Sequence, residues 1–163
     1  MPAARFDEIL IFVFRLMMGW VFLDSGIWQI LDSNFSAAAF LRETKIFHGF
    51  FVWFAAPAII GYTDVLVKWG NLLVGISLFC GLLTRLGGIV AILLLAAYHL
   101  VHVDFPYFLT DRHFNFILDY HLVYIAIIVY LIGRRAGHVW GLDRIIEQSP
   151  FFKRYPGVRV LMS

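Results

Sequence analysis

Charge is what this chain has least of. Only 15% of its 163 residues are charged, against roughly 25% in an average soluble domain. Cysteine is nearly absent. Cys80 stands alone, which excludes an internal disulfide framework and any multi-cysteine zinc or iron–sulfur site within the chain. The net charge of +2 is small, and no basic stripe with interleaved aromatics appears, so nucleic acid is not the expected partner. No nucleophile motif is present: Ser25, Ser33, Ser36 and Ser77 lack the G-x-S-x-G setting. There is no phosphate-binding glycine loop either.

What is present points one way. Hydrophobic residues make up 61% of the chain, with 17 Phe, 7 Tyr and 5 Trp, and the mean hydropathy is +0.82. Such a composition excludes disorder. The length suits one domain, and a soluble domain of this size has too little interior to hide so much apolar surface. The expected class is an all-α integral membrane protein.

A bilayer core of ~30 Å needs about 20 apolar residues in a helix. Four segments meet that need, giving a four-transmembrane-helix bundle. The first runs from Ile9 to Leu31 and carries Arg15 and Asp24. The second runs from Val65 to Leu83 and contains Asn71. The third runs from Leu86 to Val103, and the fourth from Phe116 to Gly133, opening with Asp119, Tyr120 and His121. A fifth segment, 46–60, is rich in aromatics and ends near Pro57. It is short for a span, and its aromatics suit the headgroup region, so it is expected as an interfacial or re-entrant helix between the first two spans. Residues 1–136 form the bundle and 137–163 an interfacial tail, which Pro150 and Pro156 keep from being one helix.

The N-terminus does not read as a cleaved signal peptide, because Asp7, Glu8 and Arg15 interrupt the pattern. With four spans both termini share a side. That side holds eight basic residues (Arg5, Arg85, Arg134, Arg135, Arg144, Lys153, Arg154, Arg159) against four opposite (Arg42, Lys45, Lys68, Arg112). The excess places both termini in the cytoplasm by the positive-inside rule.

Ionisable residues inside a span are costly and default to functional hypotheses. Here they share a depth. Asp24 lies in the outer half of the first span and Asn71 in the outer half of the second. His99 and His102 close the outer end of the third, and Asp119 and His121 open the fourth. Asp104, Asp111, Arg112 and His113 lie in the loop between. His99, His121, Asp119 and Asp24 are the candidate proton-handling residues. Asn71, His102 and Arg112 are candidates for binding a cofactor or anion. On helical spacing, Asp119 and His121 point about 200° apart, so both are not expected to face one cavity. A metal site would draw on His99, His102 and either His121 or Asp104, since imidazole suits copper, zinc and iron, and a b-type haem would use His99 and His121 as axial ligands. Hydrogen bonding that satisfies buried polarity between helices uses the same residues. No metal or haem is assigned. A quinone or small-anion pocket is the remaining reading, and a histidine–carboxylate pair can exchange protons with a quinone carbonyl. Arg15 is expected to be structural. Cys80, in apolar surroundings, is expected to be inert.

Three stretches resemble the DoxX/DoxD-like membrane proteins. Arg15 to Gly26 is similar to that family's opening R-x-x-x-G-x-x-F-x-x-x-G helix. Gly70 to Arg85 is similar to its G-E-x-x-x-G-x-x-L-x-x-G-x-x-T-R signature, with Asn71 where the family has glutamate. Asp119-Tyr120-His121 with Tyr124, followed by Gly141-Leu142-Asp143, is similar to the D-x-H-x-x-Y start and G-L-D close of the DoxD branch. The resemblance covers residues 10–143. It implies a multi-pass protein of a prokaryotic cell membrane tied to quinone-linked sulfur metabolism, as in the membrane part of thiosulfate:quinone oxidoreductase. A chain with one cysteine and no flavin or haem motif does not easily move electrons alone, so a hetero-oligomer with other membrane subunits is expected. The alternative is a non-catalytic accessory or assembly subunit, which the missing acid at Asn71 favours.

Overall fold

Apolar residues recur along this chain at helical spacing, and the computed structural model is helical throughout what it describes, residues 3–44, 46–102, 119–149 and 161–162. The elements are α1 (Ala3–Leu31), α2 (Ala38–Arg42), α3 (His48–Phe54), α4 (Ile60–Cys80), α5 (Thr84–His102), α6 (Tyr120–Gly133), a 3-10 turn (Ala136–His138) and α7 (Asp143–Ile146). No strand occurs among the described residues. Two stretches, Ile60–Cys80 and Thr84–Val101, are long and apolar enough to cross a membrane.

The α1–α4 pair forms the spine. The two helices run antiparallel, and small residues let their backbones meet. A β-carbon on Gly19 would lie 2.6 Å from the Phe79 amide nitrogen, and one on Gly26 would lie 2.5 Å from that of Leu72. From the other side, Gly75 presses on Leu23. The contacts keep one register along the pair. Such close approach is the packing helices use where lipid gives no hydrophobic drive between them. Around this spine, Met18, Phe22, Leu78, Ala91, Ile128 and Leu131 are buried in one core shared by α1, α4, α5 and α6. The outward faces are also apolar. Trp20, Leu66, Leu73, Leu93 and Val129 are each more than half exposed.

One end of the bundle is stapled by two buried charges. Arg15 is 1% exposed and Asp143 0%. Arg15 donates from Nη1 to the Ala136 carbonyl at 3.1 Å and from Nη2 to the Trp140 carbonyl at 3.3 Å. Asp143 accepts from the Leu83 N–H at 2.6 Å and the Thr84 N–H at 3.0 Å. It thereby satisfies amides at the start of α5 that have no partner within the helix. The α4–α5 turn that places them depends on Gly81, whose φ of +68° is left-handed. The Leu82 N–H closes that turn on the Ser77 carbonyl at 2.9 Å. A side chain at Gly81 or Gly141 would also collide with the Arg15 guanidinium. Arg15, Leu83–Thr84 and Gly141–Asp143, one part of each motif stretch, thus meet at this end, where their role is structural. The stretch after Ala136, expected as a tail, begins docked on this end: Gly137 and Asp143 are buried.

The opposite end is roofed by α2 and α3. Segment 46–60 is not one helix. Phe47 takes a left-handed φ of 51° before α3, and α3 has seven residues, about 10 Å of helix and too short to cross a bilayer. Turns carry the chain past Pro57 into α4. Asp64 holds the roof by accepting from the Ala37 N–H at 2.8 Å, and Thr63 by donating to the Phe54 carbonyl at 3.0 Å.

Candidate functional site

Beneath this roof lies a cavity of about 560 Å³. Its walls come from the C-terminal halves of α1 and α5, the N-terminal halves of α4 and α6, and the aromatic faces of α2 and α3 (Phe40, Phe50, Phe51, Phe54). The volume is within the range of sites for small organic ligands. The lining is mostly apolar, and its polar groups include Ser25, Gln29, Asn71, Tyr98, Tyr120 and His121.

Asn71 organises the first polar group. It is 1% exposed, and Nδ2 donates to Gln29 Oε1 at 2.9 Å and to the Tyr98 hydroxyl at 2.9 Å. Helices α1, α4 and α5 are joined there by neutral hydrogen bonds. A buried amide meets its needs through such bonds, where an unpaired carboxylate would carry a charge at the same place. The position that resembles the family's glutamate is therefore occupied here by the centre of an uncharged network.

The second group is built on Asp119. His99 Nδ1 lies 3.2 Å from Asp119 Oδ2, and His121 Nδ1 makes a short contact with the same oxygen. Both imidazoles donate to one carboxylate oxygen. The His121 side chain is buried, and the Tyr120 ring packs on it with centroids 4.0 Å apart. Asp119 and His121 do not diverge as helical spacing predicts, although only His121 lines the cavity. Asp119 is not yet helical: its φ of −72° and ψ of 149° are extended. The helical angle between residues two apart does not apply across the start of α6, and the carboxylate swings back beside His121.

The other sequence candidates divide. Asp24 is exposed on α1 and does not line the cavity, whereas its neighbour Ser25 does. His102 is the last residue of α5, with its side chain outside the described residues. Arg112, Asp104, Asp111 and His113 also lie outside them. Gln29 and Tyr98 line the cavity without having been singled out, and Tyr124, named only within the motif, lines it too. Gln29 had a signal. With Phe22 and Ser25 it continues one face of α1 at intervals of three and four residues. Cys80 is exposed at the end of α4, not enclosed as expected.

No family model matches the chain, and neither does any curated protein or solved structure. The DoxX-like resemblance rests on its motif residues.

Chemically, the cavity offers an apolar slot with hydrogen-bonding groups at one end. The His99–Asp119–His121 group sits at the rim, with His121 common to both.

Proposed function

We propose that the chain is a multi-pass membrane subunit of a DoxX-like, quinone-linked redox complex, and that its cavity receives the quinone headgroup. The observation that carries this reading is the form of the cavity. Its walls are aromatic and aliphatic, and its polar end is built from neutral groups, Gln29, Asn71 and Tyr98. A quinone is flat, apolar and uncharged, with carbonyl oxygens that take hydrogen bonds from such groups. A charged substrate would meet no countercharge there.

On this reading α1 and α6 cross the membrane together with α4 and α5, in a prokaryotic cell membrane with both termini cytoplasmic. The cavity then opens in the non-cytoplasmic half. Its walls continue into apolar outward faces, through which a lipid-soluble ligand enters from the bilayer. The chain supplies binding and orientation. Electrons from a donor such as thiosulfate arrive through a partner subunit, since a single exposed cysteine offers no redox centre of its own.

Equilibrium dialysis of the detergent-purified protein against short-chain ubiquinone and menaquinone analogues tests this. One quinone per chain is expected. Ala97→Trp, which fills the cavity, is expected to abolish binding while the melting temperature holds. Wild-type protein that binds neither analogue overturns the proposal. Purification from native membranes in mild detergent adds the assembly. Quinone binding with thiosulfate-linked turnover places the chain in the oxidoreductase. Assembly into a larger complex without quinone binding makes it an accessory subunit.

A further inference from the structure

We propose that His99, Asp119 and His121 bind one divalent transition-metal ion of the iron-to-zinc series at the rim of the cavity. Each residue offers one ligand atom, and the three atoms lie within 4.8 Å of one another. They come from two elements: His99 from the end of α5, Asp119 and His121 from the start of α6. The geometry is convergent. Both imidazoles turn the same atom, Nδ1, toward the same oxygen of Asp119. As hydrogen bonds, two donors share a single acceptor. A cation placed among them takes one lone pair from each of the three, after each imidazole proton has moved from Nδ1 to Nε2.

One of the spacings suits an ion, and the shorter His121–Asp119 contact has to open to admit one. Bonds of about 2.1 Å to nitrogen and oxygen set neighbouring ligand atoms about 3.0–3.5 Å apart, and His99 Nδ1 stands 3.2 Å from Asp119 Oδ2. The donor set also selects. Two imidazoles and one carboxylate suit zinc or iron(II) with open positions, and calcium and magnesium prefer oxygen alone. The surroundings hold the ligands in place: the side chains of His99, Asp119 and His121 are 17%, 22% and 5% exposed, and Tyr120 backs the His121 ring. One carboxylate leaves the assembled site with a net positive charge, which favours an oxygen-bearing ligand at its open positions. The ion site depends on these three side chains and not on what fills the cavity.

The test uses full-length protein carrying a histidine-free purification tag, stripped with chelator and dialysed against Zn²⁺. Elemental analysis is expected to find one Zn²⁺ per chain. Co²⁺ is expected to give visible absorption bands of a nitrogen–oxygen site with few ligands. His99→Gln and Asp119→Asn are expected to weaken Zn²⁺ binding by at least about 100-fold, the upper range for loss of mere outer-shell partners, with unchanged elution as a monodisperse species. Wild-type protein retaining no Zn²⁺ and giving no Co²⁺ bands overturns the proposal without reference to any variant. So does His99→Gln that binds as tightly as wild type. Should Asp119→Asn fail to fold, the His99→Gln comparison decides.

Discussion

Gly75 and Leu23 lie backbone to backbone, so close that a β-carbon on Gly75 would fall 2.5 Å from the Leu23 amide nitrogen. The obstacle is main chain, which has no rotamer to change. Gly75→Ala must therefore push α1 and α4 apart along the spine of the bundle. The expected cost is that of an overpacked core, about 1–3 kcal/mol or more. Gly61 is the control, because nothing lies within 4 Å of a β-carbon there. Gly61→Ala is expected to be neutral or to stabilise by up to ~1 kcal/mol through helix propensity. Thermal unfolding in detergent reads both. Equal melting temperatures would contradict the packing described here.

Asp143 caps α5 from 59 residues away. Asp143→Ala leaves the Leu83 and Thr84 amides without their acceptor and removes a buried carboxylate at the Arg15 end. Breaking a buried charge arrangement from one side typically costs about 3–5 kcal/mol. Asp143→Asn keeps one acceptor oxygen and is expected to fall between alanine and wild type. Melting temperatures should follow the order Asp, Asn, Ala. An alanine variant as stable as wild type would mean that the cap contributes nothing.

How much of this was legible in the sequence varies from residue to residue. Depth along the helices was, because position within an apolar run sets the end of the bundle at which a side chain lies. His99, Asp119, His121 and Asn71 therefore shared an end on sequence alone. Direction around the helix was harder. Asp119 misled because it stands one residue before α6, where backbone dihedrals and not the helical period aim the side chain. Asp24 shares the depth of the site but faces outward, which is a matter of rotation about α1. The work of Arg15 was illegible. It depends on residues 136–143 returning to α1, a contact between residues 121 and 125 positions apart that no local pattern announces. Tyr98 escaped for a similar reason, since its partners Gln29 and Asn71 lie on other helices.

Asn71 and Tyr98 are expected to be separable in their effects. Tyr98→Phe removes the hydroxyl that accepts from Asn71 Nδ2 and leaves a buried donor unmet, at a cost of about 1–3 kcal/mol. Asn71→Leu removes the donor to both Gln29 and Tyr98, two hydrogen bonds at once, so it should destabilise more. Both are expected to weaken quinone binding by about tenfold, the equivalent of one hydrogen bond of ~1.4 kcal/mol. Dialysis and thermal unfolding of the two variants together check this. Loss of stability with undiminished quinone binding would move the ligand away from this network.

The two ends of the bundle differ in charge, and the difference forecasts orientation. Among the described residues, the Arg15 end carries Arg5, Arg85, Arg134, Arg135 and Arg144, and the roofed end carries Arg42 and Lys68. Basic residues near span ends are retained in the cytoplasm, so the roof and cavity should lie on the opposite side. The native thiol is exposed, so the test begins from Cys80→Ser. Asn34 at the roofed end and Gln148 at the stapled end are both exposed, and each is replaced singly by cysteine. In intact cells with a permeable outer envelope, a membrane-impermeant maleimide should label Asn34→Cys directly. It should reach Gln148→Cys only after the inner membrane is opened. The reverse pattern would invert the protein. Labelling of both from one side would mean that an even number of crossings lies between residues 34 and 148, which is incompatible with α4, α5 and α6 all spanning the bilayer.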